Sequence, residues 1–189
     1  MDDAKAPSES ILWRRLDAPG HDACRIEQAV LGWRLDGASV FRHDGAPSLL
    51  SYRVACDGDW HAIRGVVSGW IGGRAVEWRA ERAPSGAWTL NGETVTGLDD
   101  CVDLDLGFTP ATNACVLRRI ALEVGESALV PAAWLDVSSG ALERLVQRYE
   151  RRTADEYWYE APRFEYEATL RLSASGFVLA YPGLWEAER

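Results

Sequence analysis

The residues with the clearest chemical potential lie in one stretch. Asp99, Asp100, Asp103 and Asp105 are interleaved with apolar residues, a Thr109-Pro110 turn follows, and then comes the arginine pair Arg118-Arg119. Asp103-Leu104-Asp105 has strand periodicity, so both carboxylates face one way. Two carboxylates on one face suit a hydrolytic acid/base pair or a hard metal ion. A buried arginine needs a carboxylate partner, because an unpaired buried charge costs several kcal/mol. Asp103 and Asp105 are the obvious partners. The opposite use of the same arginines is to grip a hydroxyl, phosphate or carboxylate on a ligand. Arg64, close to Trp60, is open to both readings.

The remaining chemistry is sparse. His21, His43 and His61 are scattered near turn signals and form no cluster with the acids. Ser68-Gly69 lacks the nucleophile-elbow pattern, and no phosphate loop or dinucleotide fingerprint is present. No cofactor is therefore expected. Cys24, Cys56, Cys101 and Cys115 match no zinc spacing and read as free thiols in a reducing compartment. The aromatic set Trp60, Trp78, Tyr149, Tyr157, Tyr159, Tyr166 and Tyr181 is a candidate lining for a cavity or ordinary core.

These side chains must be positioned by sheet. Strand patterns are expected at Ile11–Leu16, Cys24–Leu31, Trp33–Arg42, Ser48–Cys56, Trp60–Ile71 and Arg74–Arg82, with turn signals between them near every tenth residue. Asn91-Gly92 is a two-residue hairpin turn. Val102–Leu106 is a short strand. Pro110–Leu122 reads as irregular or partly helical, with Thr112-Asn113 able to cap a turn that carries Arg118 and Arg119. Leu129–Val137 reads as a strand despite Pro131. Ala141–Arg152 fits a helix or a strand. Phe164–Leu172 is the clearest two-sided strand, and Phe177–Tyr181 is the last. A sheet of about ten or more strands tends to curl, split or close, so a half-barrel or barrel-like antiparallel sheet with little helix is expected.

The bulk numbers bound the partners. A length of 189 residues with 47% hydrophobic content fits one domain over residues 11–185, after a mobile tail at residues 1–10. A net charge of −9 argues against nucleic acid and against anionic membrane. No stretch approaches the roughly 20 apolar residues of a spanning helix, so stable membrane insertion is not expected. The polar, acidic start does not read as an export signal, which points to the cytoplasm.

Several segments together resemble one bacterial family, the putative glycolipid-binding proteins, formerly a domain of unknown function. Asp103-Leu104-Asp105-Leu106-Gly107-Phe108-Thr109-Pro110-Ala111-Thr112-Asn113 running into Leu117-Arg118-Arg119-Ile120 carries most of the resemblance. Tyr52-Arg53-Val54, Trp60, Arg64, Gln147-Arg148-Tyr149, Tyr157-Trp158-Tyr159-Glu160 and Gly176–Leu184 follow in the same order. The resemblance implies a half-barrel shaped like lipoprotein carriers and a non-enzymatic role in holding a glycolipid-like amphiphile. The expected ligand-binding set is Trp60, Arg64, Trp78, Asp103, Asp105, Thr109, Asn113, Arg118, Arg119, Tyr149, Tyr157, Tyr159 and Tyr166. The arginines and aspartates would form the polar end of a cavity and the aromatics its walls. The alternatives are a hydrolase or metal-assisted enzyme on the Asp99/Asp100/Asp103/Asp105 cluster, and a partner-binding structural protein with a filled interior. The oligomeric state stays open.

Overall fold

The computed structural model describes residues 8–188; most of the tail expected at residues 1–10 lies outside them. The strands in chain order are β1 (Ser8–Arg15), β2 (Gly20–Ala29), β3 (Gly32–His43), β4 (Ala46–Cys56), β5 (Ala62–Ile71), β6 (Arg74–Arg82), β7 (Trp88–Leu90) and β8 (Glu93–Val95). After a loop come β9 (Asp103–Leu106) and the helix α1 (Asn113–Ile120). The chain then forms β10 (Ser127–Asp136), β11 (Ala141–Arg151), β12 (Glu156–Ala161), β13 (Tyr166–Leu172), β14 (Val178–Tyr181) and β15 (Trp185–Ala187). Residues 8–10 belong to β1.

All strands join one sheet in the order β8-β7-β6-β5-β4-β3-β2-β1-β15-β14-β13-β12-β11-β10-β9. Adjacent strands pair antiparallel except β9 with β10, where Asp103–Leu106 runs parallel to Ala132–Leu135. The expected half-barrel or barrel-like sheet is corrected here. The order is linear and open, and its end strands β8 and β9 do not pair. Near β9 the chain touches β5 without a ladder. The Ala62 N–H donates to the Val102 carbonyl at 2.9 Å, and Leu104 sits over Gly65 where a Cβ would come within 2.1 Å of it.

The physical reason lies in what covers the apolar face. Trp13, Trp88, Phe108, Phe177 and Tyr149 are fully buried, and α1 adds Ala114, Cys115, Val116 and Leu117 to the same core. The chain fills the interior of its sheet with its own side chains. All four cysteines lie in that core as free thiols, with the Cys56 and Cys115 sulfurs 3.8 Å apart.

Local chemistry explains the elements near β9. Asn91 and Gly92 both have positive φ, 52° and 87°, as a tight hairpin between β7 and β8 requires. Thr112 precedes α1, yet its hydroxyl accepts the Leu106 N–H at 3.3 Å instead of capping the helix. Arg118 and Arg119 occupy the last helical turn, where cations suit the helix dipole. Residues 141–151 resolve as strand, because the β10 edge offers them a complete antiparallel ladder. This choice aims Leu145, Gln147 and Tyr149 inward. Phe177–Tyr181 is not the last strand: β15, Trp185–Ala187, follows it and pairs with both β1 and β14.

Candidate functional site

β9 places Asp103 and Asp105 on one face, and the two then diverge. Asp103 is buried and receives both prongs of Arg119, from Nε at 2.9 Å and from a terminal nitrogen at 2.6 Å. Asp105 accepts one bond, from the Gln147 amide at 2.5 Å, and no Lys, Arg or His among the described residues pairs with it. Burial pushes its pKa up to about 6; the Gln147 bond pulls the other way and the nearby Asp103 charge adds to the rise.

Asp105 opens onto a cleft of about 350 Å³, at the lower end of the range for small-molecule sites. Four signature residues line it: Asp105, Gly107, Thr109 and Asn113. The walls are Trp134, Tyr159, Phe164, Tyr166, Tyr181 and Trp185, with Leu145, Ala161 and Leu184. The tyrosine rings pack on each other, with centroids 5.5 Å apart for Tyr159–Tyr181 and 5.4 Å for Tyr166–Tyr181. Burial raises the Tyr159 and Tyr181 phenols and takes Tyr166 to about 12, so all three stay neutral donors at ordinary pH. Trp134 crosses close over the backbone of Gly107, where a Cβ would sit 2.3 Å from the indole nitrogen.

Two buried hydrogen-bond chains hold the signature loop. On one side the Asn113 amide donates to the Tyr149 hydroxyl at 2.8 Å, and Tyr149 donates to Gln147 at 3.2 Å. Gln147 then donates to Asp105. On the other side the Tyr52 hydroxyl donates to Asp22 at 2.7 Å and lies 3.3 Å from the Thr109 hydroxyl, which accepts the Ala111 N–H at 3.1 Å. Tyr52 reaches Asp22 because position 37 is glycine; a Cβ there would meet the phenol ring at 2.2 Å. Asp22 is wholly buried, its second oxygen has no partner, and burial lifts its pKa to about 7 against its hydrogen bonds from Tyr52, Thr109 and Ser39.

The expected polar end is not assembled. Arg118 turns away from β9. It reaches Glu9 at 3.0 Å and the Ser175 carbonyl, and lies 4.6 Å over the Trp60 ring. Trp60 itself has φ 68° and stacks on Trp33 at 4.5 Å. Arg64 is part-exposed beside Glu81 at 3.4 Å. Arg119 is engaged by Asp103. Trp78 is core, packed over Gly140, and Tyr157 is buried under Arg151. Tyr149 serves the relay inside the core. Of the expected set, Asp105, Thr109, Asn113, Tyr159 and Tyr166 line the cleft.

The acidic cluster is likewise dispersed. Asp99 is exposed, Asp100 pairs with Arg144 at 2.6 Å, and no group of three metal-ligating side chains occurs among the described residues. Sequence reasoning missed Asp22, although Asp22, Cys24 and Ile26 share the inward parity of β2. It also passed over Trp134, Trp185 and Gly107 as wall residues.

The expected cavity of a curved sheet is therefore replaced by an open cleft at one end of a filled one. A second, shallower concavity of about 1110 Å³ lies over β1–β3 and the last strands, lined by Ile11, Leu12, Phe177 and Leu179 as well as by Ser10, Arg25 and Glu186. No helix among the described residues is long and apolar enough to cross a membrane.

Comparison with known proteins agrees with the fold. The family described as "Putative glycolipid-binding" matches residues 10–187. The chain is similar to a solved DUF1089 family protein from Pseudomonas aeruginosa, at 25% identity and TM-score 0.71, covering 98% of this chain and 96% of that one. That structure is described by family alone and brings no ligand-carrying precedent for a cavity. No curated protein matches the chain.

Proposed function

The chain belongs to the putative glycolipid-binding family, and from that premise we propose that it binds the sugar-like headgroup of a small amphiphile at the signature-loop cleft, without chemical turnover and with the alkyl part left outside. The observation that carries this reading is the convergence of Asp105, Thr109 and Asn113 with tryptophan and tyrosine walls in one open cleft. Aromatic rings offer apolar faces to the C–H side of a sugar, and the polar groups meet its hydroxyls. The volume suits a headgroup and leaves no room for long chains. Against turnover stands the engagement of Asp103 by Arg119, and among the described residues no histidine lines the cleft itself.

The affinity follows from the groups. Three hydrogen bonds at about 1 kcal/mol each and one aromatic face at about 1 kcal/mol sum to about 4 kcal/mol, or roughly millimolar binding. Trp134 and Trp185 report directly. Titration with octyl glucoside below its micelle concentration is expected to shift tryptophan emission with saturation in the millimolar range. An octyl chain on a zwitterionic head is expected to give none. Equal responses to both, or none to either, overturn the reading.

A further inference from the structure

The charge count in the cleft leads further, and this step rests on the headgroup reading above. Asp103 and Asp105 stand two residues apart on one strand face, with one guanidinium between them, and Arg119 gives both its prongs to Asp103. The groups facing Asp105 from its other neighbours are neutral: Asn113 on α1, Gln147 and Tyr149 on β11, Tyr159 on β12 and Tyr181 on β14. The nearest rim cations are already paired. Arg163 lies over Trp134 and bonds Glu143 at 2.6 Å, while Arg15 lies over Trp185 and bonds Asp17 at 2.7 Å. Asp105 thus carries a negative charge that the protein leaves uncompensated at the back of an aromatic cleft.

The hydrogen-bond directions agree with the charge. In the β11 chain every donor points toward Asp105, which leaves the Asn113 carbonyl oxygen and the second Asp105 oxygen as free acceptors. Tyr52 gives its proton to Asp22, so the proton between Tyr52 and Thr109 is Thr109's own. The Thr109 hydroxyl accepts the Ala111 N–H at 3.1 Å and keeps one lone pair as a further acceptor. The cleft thus sets three acceptors, one of them anionic, beside its tyrosine phenols, of which Tyr166 gives its proton to the Pro182 carbonyl at 2.6 Å; the uncompensated charge favours a donor-rich cation.

We infer that the headgroup held here carries a protonated amine seated against Asp105, as in an amino sugar or an ammonium-bearing polyol, and that anionic headgroups are excluded. The interaction is non-covalent, a charge-assisted hydrogen bond supported by the aromatic faces.

The test compares octyl glucoside, its 2-amino-2-deoxy counterpart and octyl phosphate by tryptophan fluorescence. At pH 7 the amine is expected to bind at least tenfold more tightly than the neutral glucoside, and the phosphate not measurably. At pH 5, where Asp105 takes up a proton, the amine's advantage is expected to shrink to under threefold. Asp105→Asn is expected to remove that advantage at pH 7, leaving the amine and the neutral glucoside with equal affinity. The pH arm uses the unaltered protein and so does not depend on the variant folding. Equal affinity for amine and neutral glucoside, or tighter phosphate binding, overturns this inference and leaves the headgroup reading standing. Absence of response to every probe overturns both.

Discussion

Asp103 and Asp105 have the same side chain, the same strand and the same facing, yet the fold treats them in opposite ways. Asp103 is closed off and matched to Arg119; Asp105 is held by a neutral amide and left open to the cleft. The difference comes from α1. Its last turn brings one arginine back to Asp103, and its first residue, Asn113, opens the neutral relay that ends at Asp105. A buried carboxylate with a guanidinium is architecture, and one without is available to a ligand.

The comparison breaks most sharply under neutralisation. Asp103→Asn strands the Arg119 guanidinium, which is mostly buried, and should cost about 3 kcal/mol in urea unfolding. Asp105→Asn removes a charge that burial disfavours, and should leave stability unchanged or raise it by about 1 kcal/mol at pH 8. Equal losses for the two variants would mean that Asp105 is structural as well.

A second contrast lies between two tyrosines. Tyr149→Phe leaves the buried Asn113 amide without its acceptor and Gln147 without its donor, with an expected loss of about 2 kcal/mol and weaker glucoside binding. The Tyr157 hydroxyl makes no hydrogen bond among the described residues, so Tyr157→Phe should change stability by less than about 0.5 kcal/mol. Similar melting curves for both variants would sever the relay from the fold's stability.

The pH response follows from the same burial. Asp22 and Asp105 have folded pKa values near 7 and 6, above the ordinary 3.8, so the folded state binds their protons more tightly than the unfolded one. The stability they add is complete below pH 3.8 and disappears as pH rises through 6 and 7. Asp17, Asp36, Asp100 and Asp136 are lowered and act oppositely, losing their contribution as pH falls below their ordinary range. Melting temperature should therefore rise as pH drops from 8 to about 5 and fall below about 4. Asp22→Asn should flatten the segment between 6 and 8, whatever its absolute stability. A wild-type melting profile that climbs from pH 5 to 8 would contradict the assigned burial of both carboxyls.

Much of this was legible in sequence because strand parity and turn chemistry are local. Val76, Trp78 and Ala80 face inward opposite exposed Ala75, Glu77 and Arg79, as alternation demands. The signature stretch does line the candidate cleft. What could not be read were quantities fixed by distant pairing. Arg118 and Arg119, expected together at the polar end of a cavity, separate because a helix turns successive residues by about 100°. The filled interior was hidden because inward parity looks the same whether the facing volume holds a ligand or Phe108 and α1. Asp22 was invisible as a site residue because its role depends on Gly37 letting Tyr52 pass beneath β3.

A small change in stability should come with the cleanest loss of binding. Gly107 is exposed and has no positive φ, so alanine is tolerable to its backbone. Its Cβ would meet the Trp134 indole at 2.3 Å, and Trp134 is only partly buried, so the indole can swing aside at a cost of about 1 kcal/mol or less. Swinging aside removes the ring face that roofs Asp105 and Asn113. Gly107→Ala should thus keep the wild-type melting temperature within about 3 °C, since about 1 kcal/mol moves a domain of this size by 2–4 °C. The fluorescence response to octyl glucoside should disappear. If the variant binds as the wild type does, Trp134 is not a wall of the site, and the open side of the comparison between Asp103 and Asp105 loses its binding face.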